Sequence, residues 1–549
     1  MSEIMTGGDA MIRAVLRHGV DTVFGLPGVQ TYPIFDALQH QSNQIQTIGV
    51  RHEQAAAYMA MGYAKATGRP GVCSVVPGPG VLNAGAALLT AVAVNAPVML
   101  LTGQVPAPFL GRGRGHLHEL PDQPGTLGSF IKWSGRAARA AEAPALIDQA
   151  FGHMLGGRPG PVAVEMCWDT MAMQEPVELP ALPAPAPALP LDDAKIAAAV
   201  SILVNAKRPL IMVGSGAQHA SAEVTALAEA LGAGVTAFRG GRGVVDEAHE
   251  LGLSSVAAYE LWDETDVLIG IGSRCEMPAL RWSGMTDAAD RIGGDRKLIR
   301  IEIEAEELLR LVPDVGIVGD AALATRALVD ALSGQTIVSA GRRGALATAK
   351  QRAAEKIAAV QPHISYLQAL RAVLPTDGIL VKDICQTGFT SYFGYPVHRP
   401  RTYLTSGYQG NLGFALPTAL GAKVGCPDAP VVCITGDGGF MFAAQELSTA
   451  AQHGIALVTV VFNNGAYGNV RRDQMTRFDG RVIASDLPKI DYLQLAEAQG
   501  VAGERVNSPA ALQTALKSAI DADAPRLIEV LVDRSEEVSP WPFIVPNRA

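Results

Sequence analysis

The stretch from Val431 to Tyr467, VVCITGDGGFMFAAQELSTAAQHGIALVTVVFNNGAY, restricts the fold more than any other part of the chain. A β-branched apolar run, Val431 to Thr435, stops at Gly436-Asp437-Gly438. A helix-like segment covers roughly Phe442 to His453, and a second apolar run, Leu457 to Phe462, stops at Asn463-Asn464-Gly465. Strand, tight turn, helix, strand and turn is the pattern of a parallel βαβ unit. Ligands of open α/β sheets bind at the carboxyl ends of the strands, where both turns fall. Asp437 offers a hard anionic oxygen and Asn464 a neutral carbonyl oxygen. Mg²⁺ prefers oxygen ligands and takes only one or two from the protein, with phosphates supplying others. Gly438 and Gly439 leave backbone N–H groups open at a helix N-terminus, where phosphate is favoured. GDG alone is an ordinary glycine turn. GDG, then 24 residues, then NN on this frame points to Mg²⁺ bridging a diphosphate.

This arrangement resembles the cofactor motif of thiamine diphosphate enzymes. The resemblance implies that Asp437, Asn464 and the backbone carbonyl of Ala466 hold Mg²⁺, which in turn holds the diphosphate. A second match lies near the other end of the chain. Arg51-His52-Glu53 opens a small-residue helix that runs into Tyr63-Ala64 and Thr67-Gly68, similar to the N-terminal signature of the acetohydroxyacid synthase-like members. Taken alone, Glu53 at a strand–helix junction complements a helix dipole. The resemblance implies a second role, a carboxylate that hydrogen-bonds the cofactor's aminopyrimidine. There it favours the imino tautomer, whose nitrogen deprotonates the thiazolium carbon to give the ylid.

Further segments extend the likeness. Val76-Pro77-Gly78-Pro79-Gly80 with Asn83 resembles the pyrimidine-contacting loop, with Pro79 and Asn83 as contacts. Gln386 and Thr387 stand where the family grips the diphosphate, Thr387 replacing the histidine usual in synthases. The segment from Thr405 to Pro417 also resembles the family, which implies that Gly410 offers its carbonyl to the cofactor amine and that Leu412 lies beneath the bent cofactor. The loop GRGRGHLHE, Gly111 to Glu119, is either a solvated surface loop or an active-site loop. In the second case His116 and His118 move protons near neutral pH, and Arg112 or Arg114 binds a substrate carboxylate. Leu117-His118-Glu119 stands where the synthases carry Phe-Gln-Glu, and a tryptophan that reads the second 2-oxo acid is absent near Asp473.

The expected fold class is α/β, with three Rossmann-like, doubly wound parallel sheets. At 549 residues the chain exceeds a single core. The expected division is a pyrimidine-binding domain (1–175), a Pro/Ala-rich linker (176–190) and a central Rossmann-like domain (191–335), then a connecting segment (336–362) and a diphosphate- and Mg²⁺-binding domain (363–549). Alternating proline and alanine in PVELPALPAPAPALP favours extended structure over helix. The synthases bind a non-redox FAD in the central domain. LGLSSVAAYE, Leu251 to Glu260, stands where they carry a more distinctive FAD-contacting loop, so FAD is not expected. Arg274 and Arg281 are the candidates should an anionic nucleotide bind; otherwise they are surface arginines. Alanine-rich 340–360 reads as a solvated connecting helix, and Pro540 to Phe543 as a tail packed over another domain or subunit.

A net charge of −9 with no basic run argues against nucleic acid as a partner. Six scattered cysteines without CxxC spacing suggest buried thiols in a reducing compartment, and the N-terminus has no apolar signal core, so a cytoplasmic location is expected. Uncharged 84–101 contains Asn95 and Pro97 and reads as helix then buried strand rather than a membrane span. Glu53 and Asp437 fall in different domains. The family arrangement then implies a homodimer, commonly a homotetramer, with active sites at the subunit interface. The expected reaction is ylid addition to a 2-oxo acid and decarboxylation, followed by acetolactate synthase-like carboligation. Alternatives are simple decarboxylation releasing an aldehyde (benzoylformate or phenylpyruvate type), and C–C cleavage of an acyl-CoA or diketone. A non-catalytic cofactor-binding scaffold is disfavoured by the intact Glu53.

Overall fold

The structure, a computed structural model, describes residues 2–184, 187–285, 290–338 and 342–546. Among these, three six-stranded sheets follow one another along the chain, with every strand pairing parallel. The first runs, in spatial order, Gln46–Gly49, Thr22–Gly25, Gly71–Val75, Val98–Gln104, Val162–Cys167, Trp133–Ala137. The third repeats that topology with Tyr403–Leu404, Ile379–Lys382, Val431–Gly436, Val458–Asn463, Arg526–Leu531, Ala502–Val506. The central sheet differs. Its chain order is 3-2-1-4-5-6, starting from Pro209–Val213 and reversing at Val267–Ile271. Apolar runs without polar alternation, such as Val98–Gln104, are buried along their whole length, as strands covered by helices on both faces must be.

Helix Pro79–Ala93 followed by strand Val98–Gln104 accounts for the uncharged stretch. No helix among the described residues is long and apolar enough to cross a membrane. The helix after Asp437 is more broken than its periodicity predicts. A short turn Asp437–Phe440 and a 3-10 turn Ala444–Glu446 precede helix Leu447–His453. The connecting helix spans Arg343–Ile357, and predicted positions 340–341 lie outside the described residues. Residues 185–186 of the predicted linker also lie outside them. An antiparallel ribbon joins Glu3–Thr6 to Gln174–Val177, so pairing continues into the proline-rich stretch. Trp541 and Phe543 pack on Phe389 and Phe393, with ring centroids 5.2 Å apart in each pair, so the tail lies on its own sheet's helix Gln386–Gly394.

Two helices lock the first and third sheets together. Glu53–Thr67 lies along Ala415–Gly425 at very close range. A methyl group on Gly62 would meet the Thr418 carbonyl oxygen at 1.9 Å, and one on Gly421 would meet the Met59 carbonyl oxygen at 1.9 Å. Tyr58 and Phe414 seal one end edge to face, 5.6 Å apart. The helix carrying Glu53 at its first turn is thus packed against the third sheet of its own chain.

Candidate functional site

The third sheet reverses its winding between Ile379–Lys382 and Val431–Gly436, and a cavity of about 870 Å³ opens at the carboxyl ends of these strands. Gly436 pairs opposite Phe462, which brings the two glycine turns out side by side. Asp437, Gly438, Gly439, Asn464 and Ala466 line the cavity. Gln386, Thr387, Gly410 and Leu412 line its facing wall. The motifs of the third sheet therefore converge on one cavity.

Its electrostatics suit a cation bound to an anion. Asp437 is 3% exposed, and burial pushes its carboxyl up to about 6 despite N–H groups from Gly438 and Gly465. The Gly465 N–H donates to Asp437 Oδ2 at 3.0 Å. A second carboxylate, Glu537, is pushed up to about 7 by burial and by the charge of Asp437. Glu537 Oε2 accepts the Asn464 side-chain N–H at 2.9 Å, while Asn464 Oδ1 accepts the Ala466 N–H at 3.2 Å. Gln386 presents a buried side-chain oxygen with no protein partner. No cluster of three or more His, Cys, Asp or Glu ligands occurs among the described residues. A divalent ion here would rest on one carboxylate, one amide oxygen, one backbone carbonyl and oxygens of its anion, which is how Mg²⁺ is held with phosphates.

Glycine is required around this cavity. A Cβ on Gly438 would fall 2.5 Å from the Tyr467 ring, and Gly410 adopts φ +64°, a left-handed conformation. The Thr387 hydroxyl meets His363 Nδ1 at 3.1 Å, and its O–H is free for another acceptor only in the histidine tautomer that carries its hydrogen on Nδ1. His363 is buried, and burial holds its imidazole down to about 4, in the neutral form. Sequence reading missed Glu537 and His363, which lie on a polar tail and a separate helix with no local motif.

Glu53 is not part of this cavity, whose lining falls between residues 384 and 537. Half-buried at the first turn of its helix, its Oε2 accepts the Asn83 side-chain N–H at 3.0 Å. Asn83 and Pro79 are exposed beside it. A Cβ on Gly80 would sit 3.6 Å from Glu53, and one on Gly78 would meet the His118 carbonyl oxygen at 2.4 Å. Glu53 and His118 therefore flank one turn.

The two histidines part company. His118 Nδ1 lies 2.7 Å from the side-chain oxygen of Gln30, a buried residue that sequence reading did not single out. His116 leans on Phe109, ring centroids 5.1 Å apart. Glu119 accepts N–H groups of Gly113 and His116, and these bonds, chiefly the one from His116, hold its carboxyl below the usual range. Arg112 and Arg114 are exposed, and Arg112 is turned to the Pro108 carbonyl.

The central sheet has its own crevice, about 1100 Å³, where Pro209–Val213 and Val267–Ile271 end at Gly214 and Gly272. Arg274 lines it, its guanidinium 4.6 Å from the Tyr408 ring. Arg281 does not. It is buried, donates to Glu276 at 2.7 Å and lies over Phe238, so neither the surface reading nor the nucleotide reading describes it.

Three doubly wound sheets, with a Mg²⁺- and diphosphate-compatible cavity at the switch point of the last, define a cofactor-dependent α/β enzyme. The chain matches the thiamine pyrophosphate enzyme N-terminal TPP binding domain over residues 5–126, the central domain over 196–328 and the C-terminal TPP binding domain over 383–530. It belongs to the thiamine pyrophosphate enzyme family, in its acetolactate synthase-like branch. It is 30% identical to "Acetolactate synthase isozyme 1 large subunit" of Escherichia coli, covering 99% of this chain and 96% of that protein. It is 32% identical to "Acetolactate synthase large subunit" of Parasynechococcus marenigrum, over 100% and 90%. It is also 31% identical to "Probable 2-ketoarginine decarboxylase AruI" of Pseudomonas aeruginosa, over 96% and 94%.

Proposed function

We propose that this enzyme decarboxylates a small 2-oxo acid and joins the carbon that loses CO₂, which keeps the electron pair of the broken bond, to the carbonyl carbon of a second compound, as an acetolactate synthase does. The observation that carries the reading is the single cavity formed by the Asp437 and Asn464 turns. Mg²⁺ would be held by Asp437, Asn464 and the Ala466 carbonyl, and the diphosphate by Gln386 and the N–H groups of Gly438 and Gly439. Thiamine diphosphate supplies a carbon nucleophile and an electron sink for loss of CO₂. Gly410 and Leu412 would orient the cofactor's rings, with Pro79 and Asn83 of a second copy facing the pyrimidine.

Glu53 shares a proton with the pyrimidine in this reading. Asn83 holds one of its oxygens and leaves the other free for that bond. Because Glu53 lies outside the Asp437 cavity of its own chain, the reading calls for a homodimer to bring the two together, with a homotetramer as a dimer of such dimers. His118, flanking the same turn, takes up or returns a proton at the reacting carbonyl. The similarity to proteins named as large subunits raises a regulatory partner as a further element. No step routes electrons through the central crevice, so a flavin there has no redox part in the proposed reaction.

His118 in place of the synthase glutamine favours one second reading, protonation to an aldehyde as in a decarboxylase. Pyruvate turnover with added thiamine diphosphate and Mg²⁺, products resolved by mass spectrometry, separates the two. Acetolactate is the expected product. Acetaldehyde alone would replace the carboligase reading by the decarboxylase one, and absence of pyruvate consumption would sink both for this substrate.

A further inference from the structure

We infer that Gln30 is a positioning residue that fixes the tautomer and bearing of His118, leaving Nε2 as the imidazole nitrogen able to accept a proton. The inference rests on the proposed role of His118 and deepens it.

The argument begins with the amide. Gln30 Nε2 donates to the Leu117 carbonyl oxygen at 2.6 Å, and a carbonyl can only accept, so the nitrogen end of the amide must point there. The oxygen end then faces His118 Nδ1 at 2.7 Å. That oxygen cannot donate, so Nδ1 carries the hydrogen and the neutral ring keeps its lone pair on Nε2. Two ambiguities that usually attend such groups, amide flip and histidine tautomer, are settled by one neighbouring backbone carbonyl.

Both residues are held in unusual backbone conformations. Gln30 has φ +73° and His118 has φ +63°, left-handed values that non-glycine side chains rarely adopt. Strained backbone of this kind persists where the surroundings over-determine it, and it gathers at functional sites. The surroundings here are tight. Gln30 is fully buried, and a Cβ on Gly103 would fall 1.9 Å from its carbonyl oxygen. The His118 backbone rests on Gly78, whose N–H donates to buried Gln123 at 2.8 Å. Gln123 in turn donates to Glu165 at 2.6 Å. The chain after the first strand of the sheet thus reaches across 88 residues to clamp the far end of an otherwise exposed glycine loop. Glu119 and His116 do not compete, because Glu119 caps the loop's own N–H groups and His116 lies against Phe109.

A double-mutant cycle on the holoenzyme tests this, using Gln30→Met, His118→Phe and the pair, with Gln30→Glu as the variant that keeps an acceptor opposite Nδ1. Turnover of the 2-oxo acid and thiamine diphosphate affinity are both measured. His118→Phe is expected to lower kcat on the order of 100-fold. Gln30→Met should lower it about tenfold in the native background and not at all in the His118→Phe background, since groups acting through each other are non-additive. Gln30→Glu should recover part of the loss, with cofactor affinity unchanged throughout. An equal loss from Gln30→Met in both backgrounds would make Gln30 a loop support and overturn the inference while sparing the role of His118. Undiminished kcat in His118→Phe would overturn both.

Discussion

The carboxylate of Glu446 accepts the backbone N–H of Arg51 through both oxygens, at 3.1 and 3.2 Å, across 395 residues. It ties the third sheet's layer to the strand end that carries Glu53 two residues later. Glu446 is fully buried with no counter-charge in hydrogen-bond contact, and burial pushes its carboxyl up to about 7, against bonds from Thr449 and Arg51.

A pH dependence of stability follows from that shift. Between its ordinary value of 4.5 and about 7 the folded state binds a proton that the unfolded chain releases. This group's contribution therefore improves as pH falls through 7 and levels off below 4.5. Glu446→Gln removes the slope. The variant's stability relative to the native chain should be greater at pH 8 than at pH 5 by roughly 2–3 kcal/mol. Urea unfolding at the two pH values measures it, and an unchanged difference would reject the buried-carboxylate account.

The helix contact gives a packing prediction. Gly62→Ala places a methyl 1.9 Å from the Thr418 carbonyl oxygen, a backbone atom that cannot swing aside. The two helices must separate, at a cost of about 3 kcal/mol or more. Gly152→Ala, on an open face with nothing within 4 Å, is the control and should be neutral or slightly stabilising. Thermal midpoints of the two variants make the comparison.

Much of this architecture was legible because its signals are local. Apolar runs ending in glycine turns gave the parallel sheets, and the Asp437 and Asn464 turns stand at the ends of neighbouring strands, so a motif in sequence became one cavity in space. What stayed hidden depends on through-space partners with no fixed spacing. Glu537 reaches Asn464, Glu446 reaches Arg51, and Gln30 reaches His118 only because sheet order and loop path bring them there. Arg281 read as a nucleotide-binding candidate or a surface arginine because nothing in its vicinity announced its pairing with Glu276. The strand-then-helix reading of the GDG segment was right in kind but too continuous, since small residues there break into short turns.

Metal retention should depend on Asp437 directly and on Glu537 through Asn464. Asp437→Asn replaces the one carboxylate in the proposed ligand set. Glu537→Ala frees the amide of Asn464, whose oxygen is aimed by the bond that Glu537 accepts. Loss of such an orienting partner weakens metal binding about 10–100-fold, and loss of the ligand itself should weaken it further. Equilibrium dialysis with Mn²⁺ and thiamine diphosphate, read by electron paramagnetic resonance, reports both. Native affinity in Asp437→Asn would remove Asp437 from the ligand set.

The separation of Glu53 from the Asp437 cavity permits a test of the shared site that needs no further structure. Glu53→Gln should leave the cofactor bound but slow turnover on the order of 10²–10⁴-fold, and Asp437→Asn should lose the cofactor. Each homodimer then has two dead sites. In a mixed dimer of the proposed kind, where each site takes Glu53 from one copy and Asp437 from its partner, one site would receive both defects and the other neither. Unfolding and refolding an equal mixture gives mixed dimers as half the population, each with one intact site, so about a quarter of native activity should return. If Glu53 and Asp437 of the same chain formed the site, both sites of the mixed dimer would be defective and the mixture would stay as inactive as its parents.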